Sequence, residues 1–484
     1  MSPTAALDLT GARVAVAGLA RSGLAAARAL VEAGARVSVL DAAESGPVLG
    51  RAVEAESLGA RVSLGQDAAS RLPADVDLVI CSPGWPPRAP LLVAAEDRGV
   101  PIWGEVELAW RLRRSDAAPW LVVTGTNGKT TTTRMLEAML RADGRHAVAA
   151  GNIGVPLVDV VTGDEDYDVL AVELGSPQLH SVSSVAAHAA VVLNLAPDHI
   201  DWHGSFEAYR ASKRVAYDRC AGVAVDNADD PATGALVREA SLAPGCRRVA
   251  FTLGEPDEGQ IGVLGDTLVD RAFSSRQTDG LALVEVADIH PAAPHNTANA
   301  AAAAALARSV DVAASAVAAG LQAFVPEPHR IELVATIDHV DYVDDSKATN
   351  THAAQTSLAA YPSIVWIAGG LAKGGRFDDL VRRQASRMRG VVLLGADREL
   401  IAAALSRHAP AIPVVTVEGP ETSGMSLMDQ VVVAARRLAR PGDTVLLAPA
   451  CASWDQFSDY TARGRAFADA VGRLPGERTS EVSS

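Results

Sequence analysis

The chain has 484 residues and a formal net charge of −15. That is length for about three domains of ordinary size, and a charge balance that disfavours a nucleic-acid partner while leaving room for a local basic site for a phosphorylated small molecule. Hydrophobic residues make up 49% and aromatics only 4%, so the cores must be built from Ala, Val and Leu, as those of parallel α/β sheets are. No apolar run approaches the roughly 20 residues of a membrane span, MSPTAALDLTGAR carries no leader pattern, and Cys81, Cys220, Cys246 and Cys451 form no CxxC pair; a soluble cytoplasmic protein with free thiols and no membrane partner is expected.

The first segment, residues 1–115, alternates strands and helices. RVAVA (13–17) predicts a strand, GLARSG (18–23) a glycine turn holding Arg21 and Ser22, residues 24–33 a helix, and 36–40 a second strand ending at Asp41. A βαβ start with an acid at the end of its second strand is the geometry of nucleotide binding. Ala20 stands where GxGxxG wants its second Gly, so a purely structural turn stands beside that reading. Residues 78–81 predict a strand running into SPGWPP, a stiff loop around Gly84 at a strand's carboxyl end.

RLRRSDAAP (111–119) is charged and punctuated, and reads as a linker. The second segment, residues 116–326, opens on WLVVTGTNGKTTTT. An apolar strand leads into a loop bracketed by Gly125 and Gly128, and Lys129, Thr130 and Thr131 open a helix with Met135, Leu136, Met139 and Leu140 at helical spacing. Strand, glycine loop, Lys-Thr and helix together hold a nucleotide triphosphate. Backbone N–H groups of Gly125, Thr126, Asn127 and Gly128 turn toward phosphates, Lys129 neutralises them, and the Thr130 hydroxyl is a Mg²⁺ ligand. Val123 stands where the general GxxxxGK[ST] pattern has its first Gly, so the reading rests on TGTNGKT itself. Later strands end in ELGSPQL and NLAPDHIDWHG, with polar residues at the carboxyl ends where an open α/β sheet forms its site. Residues 220–290 read as an antiparallel edge, HNTANAAAAAALAR as a helix, and PEPHR (326–330) as a joint. The third segment, 327–484, alternates again, its strands ending in DDSKATN, AGGLAKGG, GAD and APACASWDQF; PGERTSEVSS reads as a disordered tail.

Of 43 basic residues only four are lysine, namely Lys129, Lys213, Lys347 and Lys373. A chain that otherwise uses Arg keeps Lys where a compact ammonium or a nucleophilic amine is needed. Lys213, in YRASK, is either a surface lysine or an amine that takes up CO₂ to give a metal-binding carbamate. Glu173 is either a Mg²⁺ ligand or a helix-cap acid. Asp198, His199, Asp201 and His203 crowd one loop, and His199, nearest the strand end, is the metal-ligand choice. Asn296 and Asn299 either meet an adenine edge or cap their helix. His329, Arg330, Asp345, Lys347, Thr349 and Lys373, with Ser453 and Trp454, suit an anionic substrate or are a solvated charged surface.

TGTNGKTTT, GNIG, ELGSPQL, DHIDWHG, YRASK, HNTANA, PHR, DDSKATN and PACASWDQF, in this order, resemble the signatures of the Mur ligase family. The resemblance covers nearly the whole chain. It implies an α/β fold of three domains: a Rossmann-like domain for a UDP moiety (1–115), a central P-loop ATPase (116–326), and a C-terminal Rossmann-like domain (327–484) that closes on ATP and the incoming amino acid. DDSKATN and PACAS point to a D-glutamate-adding, ATP-dependent amide ligase of peptidoglycan synthesis, acting on UDP-N-acetylmuramoyl-L-alanine; a monomer is expected, although no motif speaks to the oligomeric state. The family roles carried over place Thr130 and Glu173 on one Mg²⁺, and His199 with N6-carboxylated Lys213 on a second. Lys129, Asn296, Asn299, Arg330 and Asp345 meet ATP. Arg21, Ser22, Asp41 and Gly84 line the UDP pocket, and Asn152, Ser176 and Gln178 face the muramoyl substrate. His329, Lys347, Thr349, Lys373, Ser453, Trp454 and Tyr460 surround D-glutamate. The family often has an Asp where this chain has Leu371, which leaves open how Lys373 is oriented. Other amide ligases of this fold, and a nicotinamide-dependent oxidoreductase using GLARSG and Asp41, are the rival readings.

Overall fold

The computed structural model describes residues 8–274, 280–291, 293–418 and 425–479. The start at 1–7 and the end of the tail at 480–484 lie outside the described residues.

The first sheet is all-parallel. β1 (Arg13–Ala17), β2 (Arg36–Asp41), β3 (Arg61–Leu64), β4 (Leu78–Cys81) and β5 (Ile102–Gly104) take the order β3-β2-β1-β4-β5. Side-chain alternation along β1 feeds two cores: Val14 and Val16 enter one, Ala15 and Ala17 the other. The order reverses at β1, so the crevice beyond the carboxyl ends of β1 and β4 is the switch point where such sheets bind ligands. Gly18, at φ +98°, lies there against Ser82 and Trp85; a Cβ on it would come within 2.8 Å of both side chains. The helix Arg21–Glu32 starts earlier than the sequence suggests and takes Arg21 and Ser22 into its first turn.

The second sheet has nine strands: β6 (Trp120–Thr124), β7 (Ala147–Gly151), β8 (Val169–Glu173), β9 (Ala189–Val192), β10 (Val223–Asn227), β11 (Arg247–Phe251), β12 (Gln260–Leu264), β13 (Thr267–Asp270) and β14 (Leu281–Glu285). Their order is β14-β13-β12-β11-β10-β9-β6-β8-β7. The antiparallel edge expected over 220–290 needs correcting. β10 and β11 run parallel to β9, because the helix Pro231–Glu239 provides the crossover, and β12 runs parallel to β11. Antiparallel pairing starts only at the β12–β13 hairpin, whose turn holds Gly265 at φ +62°.

Trp120, Val122, Leu170 and Val172, on one face of this sheet, share a core with Val37 of the first and with Leu24 and Leu30 of the helix Arg21–Glu32 that packs on it. On the other face Leu121, Val123 and Val191 pack with Met135, Met139 and the Ala-rich helix Pro294–Arg308. The shared core explains why two sheets make one compact unit, Met1–Phe324, while the third sheet forms its own, Val325–Ser484.

In the second unit β15 (Glu332–Ile337), β16 (Val340–Asp344), β17 (Ile364–Gly369), β18 (Met388–Leu394), β19 (Val414–Thr416), β20 (Thr444–Leu447) and β21 (Arg478–Thr479) take the order β19-β18-β17-β20-β16-β15-β21. The five strands from β19 to β16 are parallel; β15 and β21 are antiparallel. The tail is therefore not irregular from its start: Arg478 and Thr479 pair with Ile337 and Thr336. Among the described residues, no helix is long and apolar enough to cross a membrane.

Candidate active site

The glycine loop joins the end of β6 to the helix Lys129–Ala142. Gly125 has φ +152°, and a Cβ there would lie 3.0 Å from Leu193 Cβ. Gly128 is the left-handed N-cap at φ +84°, and a Cβ would lie 2.3 Å from Asn299 Oδ1. Both positions need glycine for conformation and for space. No side chain caps this helix, so its positive end faces the loop uncovered. Lys129 Nζ donates to the carbonyls of Gly125 (3.0 Å) and Thr126 (2.9 Å), which holds the ammonium across the loop. Thr130 is buried in the helix's first turn, beside half-buried Thr131.

Sheet register sets Glu173 beside that loop. Glu173 ends β8, paired to Val123 on one side and Gly151 on the other. Its side chain is buried. Oε1 accepts from Asn152 Nδ2 at 2.7 Å, whereas Oε2 is buried with no hydrogen-bond partner in the protein. A buried carboxylate oxygen without a donor is costly unless a cation meets it, so this donor set fits a hard cation such as Mg²⁺ with the Thr130 hydroxyl. The helix-cap alternative fails, because Glu173 belongs to the strand and Gly175 is the N-cap of the next helix.

Lys213 is not a surface lysine. Its side chain is 1% exposed, and Nζ donates to Thr124 Oγ1 and to Gly125 O, both at 2.9 Å. Burial, helped by the positive charge of Lys129, holds the ammonium well below its ordinary pKa, against the pull of Asp198 and Glu173. The lowered pKa leaves more of this amine unprotonated, and so nucleophilic, than an exposed lysine would have. His199 stands at φ +52° as the N-cap of the helix Ile200–His203, its Nε2 3.7 Å from Asp198 Oδ2 and its side chain 46% exposed. His203 instead packs edge-on to Trp202 and Tyr209, and burial lowers its pKa to about 4.

Asn299 donates to Asn296 Oδ1 at 3.3 Å, and Asn296 donates to Pro291 O at 2.9 Å. Ala293 is the N-cap of their helix and no side chain caps it, so capping is not their role; Asn299 lies against Gly128 of the glycine loop. Ser176 Oγ is buried without a partner, and Gln178 Oε1 accepts from Gly175 N at 2.8 Å. Across the first unit, Arg21 reaches Gly154 O at 2.6 Å. Asp41 accepts the main-chain N–H of Leu19 (2.6 Å) and of Ala43 (2.8 Å), so its carboxylate holds the GLARSG loop. Ser22 is half-buried and Gly84 faces open space.

In the second unit each lysine lies over a ring. Lys347 Nζ is 3.9 Å from the Tyr460 centroid, and Lys373 Nζ is 5.1 Å from that of Trp454, whose side chain is exposed. Lys373 sits at φ +46°. Its loop is held by a two-way backbone bridge between Leu371 and Ala452 and by Ala372 N donating to Asp397 Oδ2 at 2.7 Å, so Leu371 takes part through its main chain. Asp345 is buried, accepts the Ser357 hydroxyl, and is pushed up to about 6 by burial, with Arg330 opposing. Ser453 is buried, Thr349 half-buried, and His329 Nδ1 lies 2.6 Å from Asp344 Oδ2.

Three contributors were not picked out from the sequence. Asn194 receives Asn127 N on its Oδ1 (2.9 Å) and donates to Asn127 O (3.1 Å), bracing the loop. Tyr209 OH meets Thr126 Oγ1 at 2.8 Å. Arg463, fully buried, donates to Ser346 Oγ, Ser346 O and Cys451 O, tying DDSKATN to PACAS. Tyr209 lies four residues before Lys213 on one helix face, which was a usable signal; Arg463 was hidden among 39 arginines, the remainder of 43 after four lysines.

Models of three protein domains match this chain. They are the Mur ligase MurD-like N-terminal domain over 12–104, the Mur ligase middle domain over 123–307, and the Mur ligase glutamate ligase domain over 329–451. The chain belongs to the Mur ligase family. The resemblance drawn from its motifs is thus borne out. Relatives named UDP-N-acetylmuramoylalanine–D-glutamate ligase include those of Streptomyces avermitilis, 57% identical with 95% of this chain and 98% of the relative covered, and of Thermobifida fusca, 55% identical with 97% and 100% covered. Among solved structures, the UDP-N-acetylmuramate-alanine ligase MurC of Thermotoga maritima matches with TM-score 0.57 at 18% identity, covering 95% of this chain and 99% of that one. The MurF ligase of Thermotoga maritima in complex with ADP matches with TM-score 0.56 at 14% identity, covering 96% of each. These two show that the Mur ligase fold is shared.

Proposed function

We propose that this Mur ligase joins D-glutamate to UDP-N-acetylmuramoyl-L-alanine, converting ATP to ADP and phosphate. One observation carries the chemistry: a buried carboxylate with an unmet oxygen, Glu173, held by sheet register beside a glycine loop spanned by an ammonium. The choice of D-glutamate rests on the names of relatives at 55–57% identity.

In this reading Gly125–Thr130 and Asn299 hold the nucleotide, and Lys129 stabilises charge on the phosphoryl group as it passes to the alanine carboxylate. Two Mg²⁺ ions, when bound, neutralise the phosphates; Thr130 and Glu173 would hold one, and His199 with N6-carboxylated Lys213 the other. The lowered pKa of the buried Lys213 amine supports that modification: the unprotonated nitrogen attacks CO₂, one proton leaves, and the neutral amine becomes a carbamate anion. Asn152 fixes the Glu173 carboxylate through its 2.7 Å bond and, with Ser176 and Gln178, faces the muramoyl substrate. Arg21, Ser22, Asp41 and Gly84 line the UDP pocket. Arg330 and Asp345 serve the nucleotide. Lys347 and Lys373, each oriented by a ring, bind the carboxylates of D-glutamate, whose amine displaces phosphate from the acyl phosphate.

The test is ADP release and product mass with ATP, Mg²⁺, UDP-N-acetylmuramoyl-L-alanine and single amino acids. D-glutamate alone should give turnover and a mass gain of one glutamyl residue. Turnover with another amino acid, or none with any, overturns the assignment.

A further inference from the structure

His329 lies in an unusual backbone. It has φ +66° and Ile331 has φ +50°, so the two residues flanking Arg330 both occupy the left-handed region that non-glycine residues rarely enter. Such a conformation persists only where surrounding contacts impose it. Here they do so from every side of His329. Its N–H donates to Glu332 Oε2 at 2.8 Å, its carbonyl accepts from Lys347 N at 3.3 Å, and its Nδ1 meets Asp344 Oδ2 at 2.6 Å.

Asp344, the last residue of β16, is buried and touches both neighbouring motifs. Its Oδ1 accepts from Ser346 N at 2.9 Å, and Ser346 in turn is bonded to Tyr460 O and to Arg463. The helix Tyr460–Gly472 passes so close that a Cβ on Gly464 would lie 2.2 Å from His329 Nδ1 and 2.7 Å from Asp344 Oδ2. Only a bare backbone fits over the pair. The ligand atoms of His329, Glu332 and Asp344 lie within 4.8 Å of one another, the spread a cation would need. They are closed by protons instead, since Nδ1–H lies at hydrogen-bond distance from Asp344 and Glu332 takes the main-chain N–H. A charge-assisted bond of 2.6 Å out of water is a stiff link.

The two ends of that link adjoin in sequence the two charged residues assigned to the nucleotide: His329 precedes Arg330, and Asp344 precedes Asp345. We propose that Asp344 is a positioning residue, which acts through His329 under Gly464 to hold Arg330 and Asp345 in the geometry that engages ATP. His329 then supports the site from behind, in place of the D-glutamate contact expected from the sequence. The inference rests on the ligase reading above.

The test uses the full chain with Asp344→Ala, Asp344→Asn and Gly464→Ala, reading KM for ATP, KM for D-glutamate and kcat separately, with circular dichroism to verify folding. Loss of a charge-assisted bond corresponds to about a tenfold change or more. Asp344→Ala should raise KM for ATP by that factor and leave KM for D-glutamate within about twofold. Gly464→Ala, which pushes the pair apart sterically, should do the same. Asp344→Asn keeps the shape and still accepts the Nδ1 proton, so it should recover most of the loss; it also serves if the alanine variant fails to fold. An unchanged KM for ATP in folded Asp344→Ala overturns the proposal, as does Asp344→Asn that folds but recovers none. If the unsubstituted chain released no ADP, the ligase reading itself would fall. ATP titration calorimetry on the same variants would still report whether the pair governs nucleotide affinity.

Discussion

Glu105 offers a test of the joint between the first two sheets that needs no substrate. It opens the helix Glu105–Leu112, and its Oε1 accepts Val158 N at 2.7 Å from the first turn of the helix Leu157–Thr162. Its Oε2 is buried without a partner. Burial pushes the carboxyl from 4.5 up to about 7; Asp159 adds to the rise, and the Val158 and Leu157 N–H groups oppose it. Below pH 4.5 the group is protonated whether the chain is folded or not, and it costs nothing. As pH rises toward 7 the unfolded chain releases its proton and the folded chain keeps it, so stability falls; above 7 the loss is complete. A rise to about 7 corresponds to roughly 3 kcal/mol, of which less than a third is already lost at pH 5. Glu105→Gln removes the titration while keeping the acceptor for Val158 N. The variant should therefore gain roughly 2–3 kcal/mol on the unsubstituted protein between pH 5 and pH 8.5, read as the stability difference from urea unfolding followed by tryptophan fluorescence. Any fixed cost of burying the new amide cancels in that comparison. A difference that does not change with pH would refute the claim that an ionisable, desolvated carboxyl sits in this joint.

Other expectations concern the active site. Gly128→Ala faces both φ +84° and Asn299 Oδ1 at 2.3 Å, and should raise KM for ATP by about tenfold or more while the fold remains; an unchanged KM would mean the loop does not grip the nucleotide. Lys213→Ala should abolish ADP release and regain part of it with added formate or acetate, since a small carboxylate can stand in for the carbamate; no rescue at saturating carboxylate counts against the modification. Lys373→Ala should raise KM for D-glutamate by about tenfold with KM for ATP unchanged, because the lysine lies over the Trp454 ring in the loop assigned to D-glutamate, and equal changes in both would argue against the assignment.

Much of the fold was legible because parallel strands announce themselves. RVAVA, LVIC and TVLL are short apolar runs followed by glycine, proline or polar loops, and all three lie in strands with the expected bounds. The 220–290 region was harder. Its strands Val223–Asn227 and Arg247–Phe251 are separated by the helix Pro231–Glu239, whose Pro, Thr and Gly read as turn residues; Pro at the first helical position and Asp230 as its cap are compatible with both readings.

In the candidate site, residues within one motif were readable and partnerships across motifs were not. Lys213 shows the difference. Its rarity marked it, yet the burial that lowers its pKa is set against Thr124 at a strand end and Gly125 of the glycine loop, 89 and 88 residues away along the chain. The same holds for the unmet oxygen of Glu173, for Asn194 on the glycine loop, and for Asp344 beneath His329.

The amino-acid order alone determined the kind of chemistry, because a glycine loop, its lysine and its hydroxyl are contiguous and act through local backbone geometry. Only the folded chain decided which acids, amides and amines meet that loop and in what protonation state. Those properties depend on desolvation and on charges brought together across sheet neighbours, and neither is carried by distance along a sequence.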